Sequence, residues 1–269
     1  MNKKKLIEKI QEKKSFLCVG LDPDLNKFPS FILNEEDPIF FFNKKIIDST
    51  KDYCVSYKVN LAFYEKYGVK GLNSLKKTID YIPNDFFVIA DAKRGDILNT
   101  SQMYADAFYN NFNFDAVTLS PYMGGDCVMP FMREGKWSIV LIATSNPTAD
   151  DFQMIKTEKG KPLFMEVLNK AKSWGNSENM MFVVGGTRPE VIKEIRENAK
   201  DFFLLIPGLG HQGGELSEIV KNGFNDKIGI LVNCSRSILY AGKGAEFFID
   251  SQKEAKRIQK EMSEYLTNF

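Results

Sequence analysis

The sequence predicts an α/β fold, a single (β/α)8 TIM barrel occupying residues 1–269, and three observations lead there. About eight short runs rich in β-branched, aromatic and aliphatic residues alternate with helical patterns, which is the signature of a parallel sheet. Polar or charged residues recur at the C-terminal end of nearly every run. The length of 269 residues suits one barrel, a fold that commonly takes about 250 residues in one unit. An open doubly wound sheet also alternates strands and helices. It would not need Asp22, Lys58, Asp91, Lys93, Ser120, Ser145 and Arg236 all at strand ends, whereas a barrel brings those ends to one mouth.

Residues from about Lys3 to Lys13 place Leu6, Ile7 and Ile10 at helical spacing, and Phe16 to Val19 then reads as a buried strand that leads to Asp22. Ile39 to Phe42 with Ile46 and Ile47 gives a wide apolar helical face, whose expected use is core packing. In Cys54 to Asn60, alternation puts Ser56, Lys58 and Asn60 on one face of a second strand. A helix from about Gly71 to Tyr81 precedes the third strand, Phe86 to Lys93, and a helix from about Ile97 to Asn111 follows it. Further strands are expected at Asp115 to Ser120, Ser138 to Ser145, Met181 to Val184, Phe202 to Pro207 and Ile228 to Asn233. The polar stretch from Asp150 to Lys161 reads as a long loop after the fifth strand.

Hydrophobic residues make up 43% of the chain and charged residues 26%, enough apolar matter for a large core. With 36 Lys and Arg against 35 Asp and Glu, no net field recruits nucleic acid or an anionic membrane, so an anionic substrate has to be met locally. Apolar residues nowhere run long enough to span a membrane, and charges interrupt the N-terminal apolar positions, so no signal-peptide core is expected and the cytoplasm is the default compartment. Cys18, Cys54, Cys127 and Cys234 are widely spaced, as buried reduced thiols are. With His211 as the only histidine, no metal centre is expected.

The third strand spends charge against its own burial. Alternation sets Phe87, Ile89, Asp91 and Lys93 on one face, so an acid and an ammonium stand together at the mouth, with Asp96 on the following loop. Taken alone, the pair reads equally well as a solvated salt bridge. The last third of the chain adds an anion site. Pro207-Gly208-Leu209-Gly210-His211-Gln212-Gly213-Gly214 is a glycine-rich loop after the seventh strand, and Asn233-Cys234-Ser235-Arg236 offers a guanidinium after the eighth. Barrels recurrently hold phosphate between these two loops.

These residues resemble the orotidine 5′-monophosphate decarboxylase family over essentially the whole length, and the longer-chain branch of it in particular. The motif Asp-x-Lys-x-x-Asp-Ile stands as Asp91-Ala92-Lys93-Arg94-Gly95-Asp96-Ile97. Leu21-Asp22-Pro23, Lys58 with Asn60, Ser120-Pro121-Tyr122-Met123-Gly124, Thr144-Ser145-Asn146-Pro147, Pro207-Gly208 with Gln212-Gly213-Gly214, and Asn233 to Arg236 fall in family order. The resemblance implies decarboxylation of orotidine 5′-monophosphate by a homodimer with shared active sites and no cofactor or metal. It implies that Lys58, Asp91 and Lys93 act with Asp96 and Thr100 of the partner subunit. It further implies that Asp22 and Asn60 hold the ribose or base, Ser145 the pyrimidine edge, and Gln212 with Arg236 the 5′-phosphate, with Ser120 and Pro207 also substrate-binding. Family members commonly carry glycine beside the phosphate arginine; here Ser235 and Ser237 flank it. Two other readings remain open. One is a metal-dependent sugar-phosphate decarboxylase or aldol-type synthase, although these carry an acid where this chain has Lys58. The other is a non-catalytic phosphate-binding barrel.

Overall fold

The computed structural model describes residues 1–209, 214–267 and 269. Eight parallel strands close into a barrel in sequence order: β1 (Leu17–Gly20), β2 (Ser56–Asn60), β3 (Phe87–Arg94), β4 (Ala116–Leu119), β5 (Trp137–Ala143), β6 (Met180–Val184), β7 (Phe203–Pro207) and β8 (Ile230–Cys234). Closure is made by β1 pairing with β8, Cys18 opposite Asn233. Most strand residues are buried on both faces, because the helices cover the outside and side chains fill the inside; this is why the strands read as continuous apolar runs.

The helices are α1 (Lys3–Lys13), α2 (Pro38–Thr50), α3 (Ala62–Glu65), α4 (Gly68–Tyr81), α5 (Leu98–Asp106), α6 (Leu163–Ala171), α7 (Pro189–Asn198), α8 (Leu216–Gly223), α9 (Arg236–Leu239) and α10 (Phe247–Tyr265). In α1, Asn2 caps the first turn by accepting from the Lys5 N–H at 2.9 Å, and Lys14 ends the helix in the left-handed region at φ 47°. In α2, Asp37 is the cap, accepting from the Phe40 N–H at 3.0 Å, with Pro38 at the first helical position. Phe42 presents the apolar face of α2 to Phe28 and Phe247, stacked at centroid distances of 4.2 and 5.1 Å, so the residue serves the core as its pattern predicts.

Aromatic side chains floor the barrel. Trp137, from β5, meets Phe87 of β3 edge-on at 5.8 Å and Phe203 of β7 at 6.5 Å, so alternate strands supply one layer. The indole N–H donates to the Met1 carbonyl at 2.8 Å, which ties the chain start to that floor. With the lower barrel filled, the barrel's own cavity opens toward the C-terminal ends of the strands.

Two details differ from the sequence expectation. The helix expected over residues 97–111 is α-helical only as far as Asp106 and continues as a π-helical turn over Ala107–Asn111, where the Tyr109 hydroxyl donates to the Trp137 carbonyl at 2.9 Å. The second lies in β3. Ala90 pairs with Val117 and Arg94 with Leu119, so β3 holds two more residues than β4 over that interval. Simple alternation therefore stops before Lys93, which takes φ 49°.

Candidate active site

The C-terminal ends of the strands enclose a cavity of about 570 Å³. Its charged wall comes from the first three strands. Lys58 lies on β2, and its side chain is only 6% exposed. Its Nζ donates to Asp91 Oδ2 at 2.8 Å and stands 3.8 Å from Asp22 Oδ1. Asp91 Oδ1 accepts from Lys93 Nζ at 2.5 Å. The order along the wall is thus acid, base, acid, base.

The electrostatics follow from that order. Burial alone would raise the Asp91 carboxyl, but the Lys58 and Lys93 ammoniums outweigh it and hold the group well below the usual carboxylate range. Burial would likewise strip the proton from Lys58, yet Asp22 and Asp91 hold its ammonium above the ordinary lysine value. The two lysines share one carboxylate but differ in access. Lys93 is 49% exposed, so its ammonium reaches the cavity while Lys58 is enclosed. Asp22 Oδ1 is buried without a hydrogen-bond partner among the described residues, with the Lys58 ammonium 3.8 Å away.

Around the rest of the cavity the groups are neutral, Arg236 excepted. Ser145 follows β5, where Gly185 gives it room: a Cβ on Gly185 would lie 2.8 Å from the Ser145 amide nitrogen. Gln153 reaches back to the preceding residue, accepting from the Thr144 N–H and donating to the Thr144 hydroxyl, both at 2.8 Å. Pro207 ends β7, and its carbonyl accepts from the Gly186 N–H at 2.9 Å. Arg236 opens α9 with an exposed side chain and forms no ion pair with the described residues. At β8, Asn233 Nδ2 donates to Ser235 Oγ at 3.3 Å while its Oδ1 is buried without a partner. Gly20 is required there, because a Cβ would lie 1.9 Å from Ser235 Oγ.

The cavity thus brings together Asp22, Lys58, Asn60, Asp91, Lys93, Ser145, Pro207 and Arg236. Asn60 also caps the next segment, its Oδ1 accepting from the Ala62 N–H at 3.2 Å. Asp96, Thr100 and Ser120 do not line it. Asp96 Oδ1 accepts from the Ile97 N–H at 2.8 Å on the rim, Thr100 lies in α5, and the Ser120 N–H donates to the Arg94 carbonyl at 2.8 Å. Gln212 lies outside the described residues. Asn233, quoted in the sequence only as part of the motif that leads to Arg236, also lines the cavity, as do Thr118 and Gln153, which the sequence does not single out. For Thr118 a signal exists, since it is a polar residue inside an otherwise apolar strand, Ala116–Leu119. Gln153 carries none, because its contact with Thr144 depends on how the long loop folds back.

Residues 15–247 match the model of the orotidine 5′-phosphate decarboxylase / HUMPS family. Among curated proteins, the chain is 55% identical to an orotidine 5′-phosphate decarboxylase of Flavobacterium johnsoniae, covering 99% of this chain and 98% of that one. It is 52% identical to one of Parabacteroides distasonis, covering 99% and 96%. Among solved structures, the OMP decarboxylase of Leishmania donovani superposes with a TM-score of 0.85 at 32% identity, covering 99% of each chain. That of Plasmodium berghei gives 0.84 at 26% identity, covering 98% of each. The barrel, its charged wall and these likenesses together place the chain in the orotidine 5′-phosphate decarboxylase / HUMPS family.

Proposed function

We propose that this chain converts orotidine 5′-monophosphate to uridine 5′-monophosphate and carbon dioxide, the last step of de novo pyrimidine nucleotide synthesis. The observation that carries this reading is the row Asp22, Lys58, Asp91, Lys93, in which the terminal ammonium is half exposed at the cavity and the other three side chains are at most 14% exposed. Breaking the bond between C6 and the carboxylate leaves the electron pair on C6, with no adjacent carbonyl to accept it. A fixed ammonium stabilises that pair as it develops, and Lys93 then transfers a proton to C6. Solvent returns a proton to the amine. Lys58 holds Asp91 in place, and Asp91 holds Lys93. Close relatives named for this activity over nearly their whole length support the assignment.

The substrate contacts in this reading are Asp22 and Asn60 to the ribose or base, Ser145 to the pyrimidine edge, and Arg236 to the phosphate, with Pro207 beside it. The phosphate lies far from C6, so gripping it supplies remote binding energy for the chemical step. No cofactor is needed. The working unit in this reading is a homodimer. Ile97, Leu98, Met103, Tyr122, Met123 and Met129 are all at least 49% exposed, on the segments that follow β3 and β4. An apolar surface beside the mouth suits a second copy, which would bring Asp96 and Thr100 to its neighbour's cavity. All four cysteines are buried free thiols, in keeping with the reducing cytoplasm.

Purified protein mixed with orotidine 5′-monophosphate should bleach the substrate's pyrimidine absorbance and yield the uridine nucleotide, and exhaustive chelation should leave the rate unchanged. Absence of turnover would sink the reading. Loss with chelator and recovery with magnesium would favour the metal-dependent relatives.

A further inference from the structure

Thr118, on β4, is 1% exposed and belongs to none of the roles above. Its Oγ1 accepts from the backbone N–H of Lys93 at 2.9 Å and donates its own proton to Asp91 Oδ1 at 3.2 Å. Asp91 Oδ1 also accepts from Lys93 Nζ at 2.5 Å. These contacts close a ring that starts at the Lys93 main chain and returns to the Lys93 side chain.

The register explains why a side chain is needed. Pairing of β2 with β3 ends at Asp91, and pairing with β4 skips from Ala90 to Arg94, so Lys93 has no ladder partner on either side. Its N–H would be orphaned beside a buried strand, and the Thr118 hydroxyl takes it. Lys93 also sits at φ 49°, a conformation that a residue with a side chain holds only when its surroundings impose it. A hydroxyl both accepts and donates, which the ring requires and a valine of nearly equal volume cannot supply.

We infer that Thr118 is a positioning residue: it holds the Lys93 backbone in its left-handed conformation and fixes the Asp91 carboxylate, so that the ammonium is aimed into the cavity. The catalytic consequence rests on the proposed function, whereas the conformational one does not. The test compares Thr118→Val and Thr118→Ser by crystal structure, by kcat on orotidine 5′-monophosphate and by Kd for uridine 5′-monophosphate. Valine should release Lys93 from the left-handed region and lower kcat by about 10- to 100-fold, with the product Kd within about twofold, since a small misplacement at a reacting group costs that much. Serine should keep the conformation and most of the rate. If Thr118→Val does not fold, Thr118→Ala is read in the same way.

Lys93 unmoved without the hydroxyl would overturn the inference, whatever the activity. So would an unchanged kcat, or kcat and product affinity falling together. If wild-type protein does not turn over the substrate but Lys93 still moves in Thr118→Val, the proposed function fails and the positioning stands.

Discussion

Around the mouth of the barrel, β1 to β3 present Asp22, Lys58, Asp91 and Lys93 in ion-paired contact, whereas β5 to β8 present hydroxyls, amides, glycine backbone and the Arg236 guanidinium. The first wall stands on or next to strands, and each charge is held by its neighbour. The second is made largely of loops pinned by side-chain contacts such as Gln153 to Thr144. The difference teaches where each kind of work belongs. Developing charge at a carbon is best met by dipoles and ions that do not have to reorganise, while a nucleotide that must enter and leave is best held by segments able to adjust.

The comparison breaks most visibly at Lys93. Lys93→Ala should lower turnover by roughly 10³-fold or more if it is the proton donor, as measured by steady-state kinetics. Asp96→Ala should also be severely impaired. If Asp96 acts across the proposed homodimer, mixing the two variants under subunit exchange should restore about a quarter of wild-type activity, half the dimers being mixed with half their sites intact. No recovery, despite proven heterodimers, would put Asp96 to work in its own subunit.

A second break probes the interlocking of charges. Lys58→Met should cost about 3 kcal/mol or more in urea unfolding at neutral pH, because two carboxylates lose their enclosed partner. A loss below about 1 kcal/mol would mean that the row is merely adjacent rather than interdependent. On the opposite wall, Arg236→Ala should leave stability unchanged and weaken uridine 5′-monophosphate by on the order of 2 kcal/mol, with uridine unaffected, because a charge-assisted contact to phosphate is lost. Equal effects on both ligands would remove Arg236 from the phosphate.

The smallest expected effect is on the acid limb. Asp91 is held below its ordinary value of 3.8, so the unfolded chain binds the proton more readily than the folded one. Its contribution to stability is therefore fully present above about pH 4 to 5 and drains away as pH falls through the lower folded value. Wild-type stability followed from neutral pH down to pH 3 should fall more steeply than that of Asp91→Asn. Parallel curves would show that Asp91 does not couple to folding.

Much of the barrel was legible because each strand is a short apolar run buried on both faces, and because Asp22, Lys58 and Asp91 recur together at the ends of such runs, which a solvated salt bridge explains at one strand but not at three. Local periodicity also gave α1, where Leu6 and Ile10 face the core. The interruption at Lys93 was not legible, because alternation assumes one residue per ladder position and the two extra residues of β3 show only against β4. The π-helical turn at Ala107–Asn111 was hidden for a similar reason: the apolar spacing there suits a helix, and the wider winding appears only in the hydrogen-bond pattern. Gln153 reaching Thr144 depends on the path of a loop, on which residue types are silent.

The left-handed backbone at Lys93 has an evolutionary consequence. A lysine held at φ 49° is disfavoured by about 1 kcal/mol or more, a cost that glycine escapes and asparagine partly escapes. Selection for folding alone sets that cost against the ion pair that Lys93 makes with Asp91, which glycine and asparagine lack. In a library drifted under a folding screen, with no demand for pyrimidine synthesis, loss of this lysine should therefore concentrate in variants that have also lost the Asp91 carboxylate.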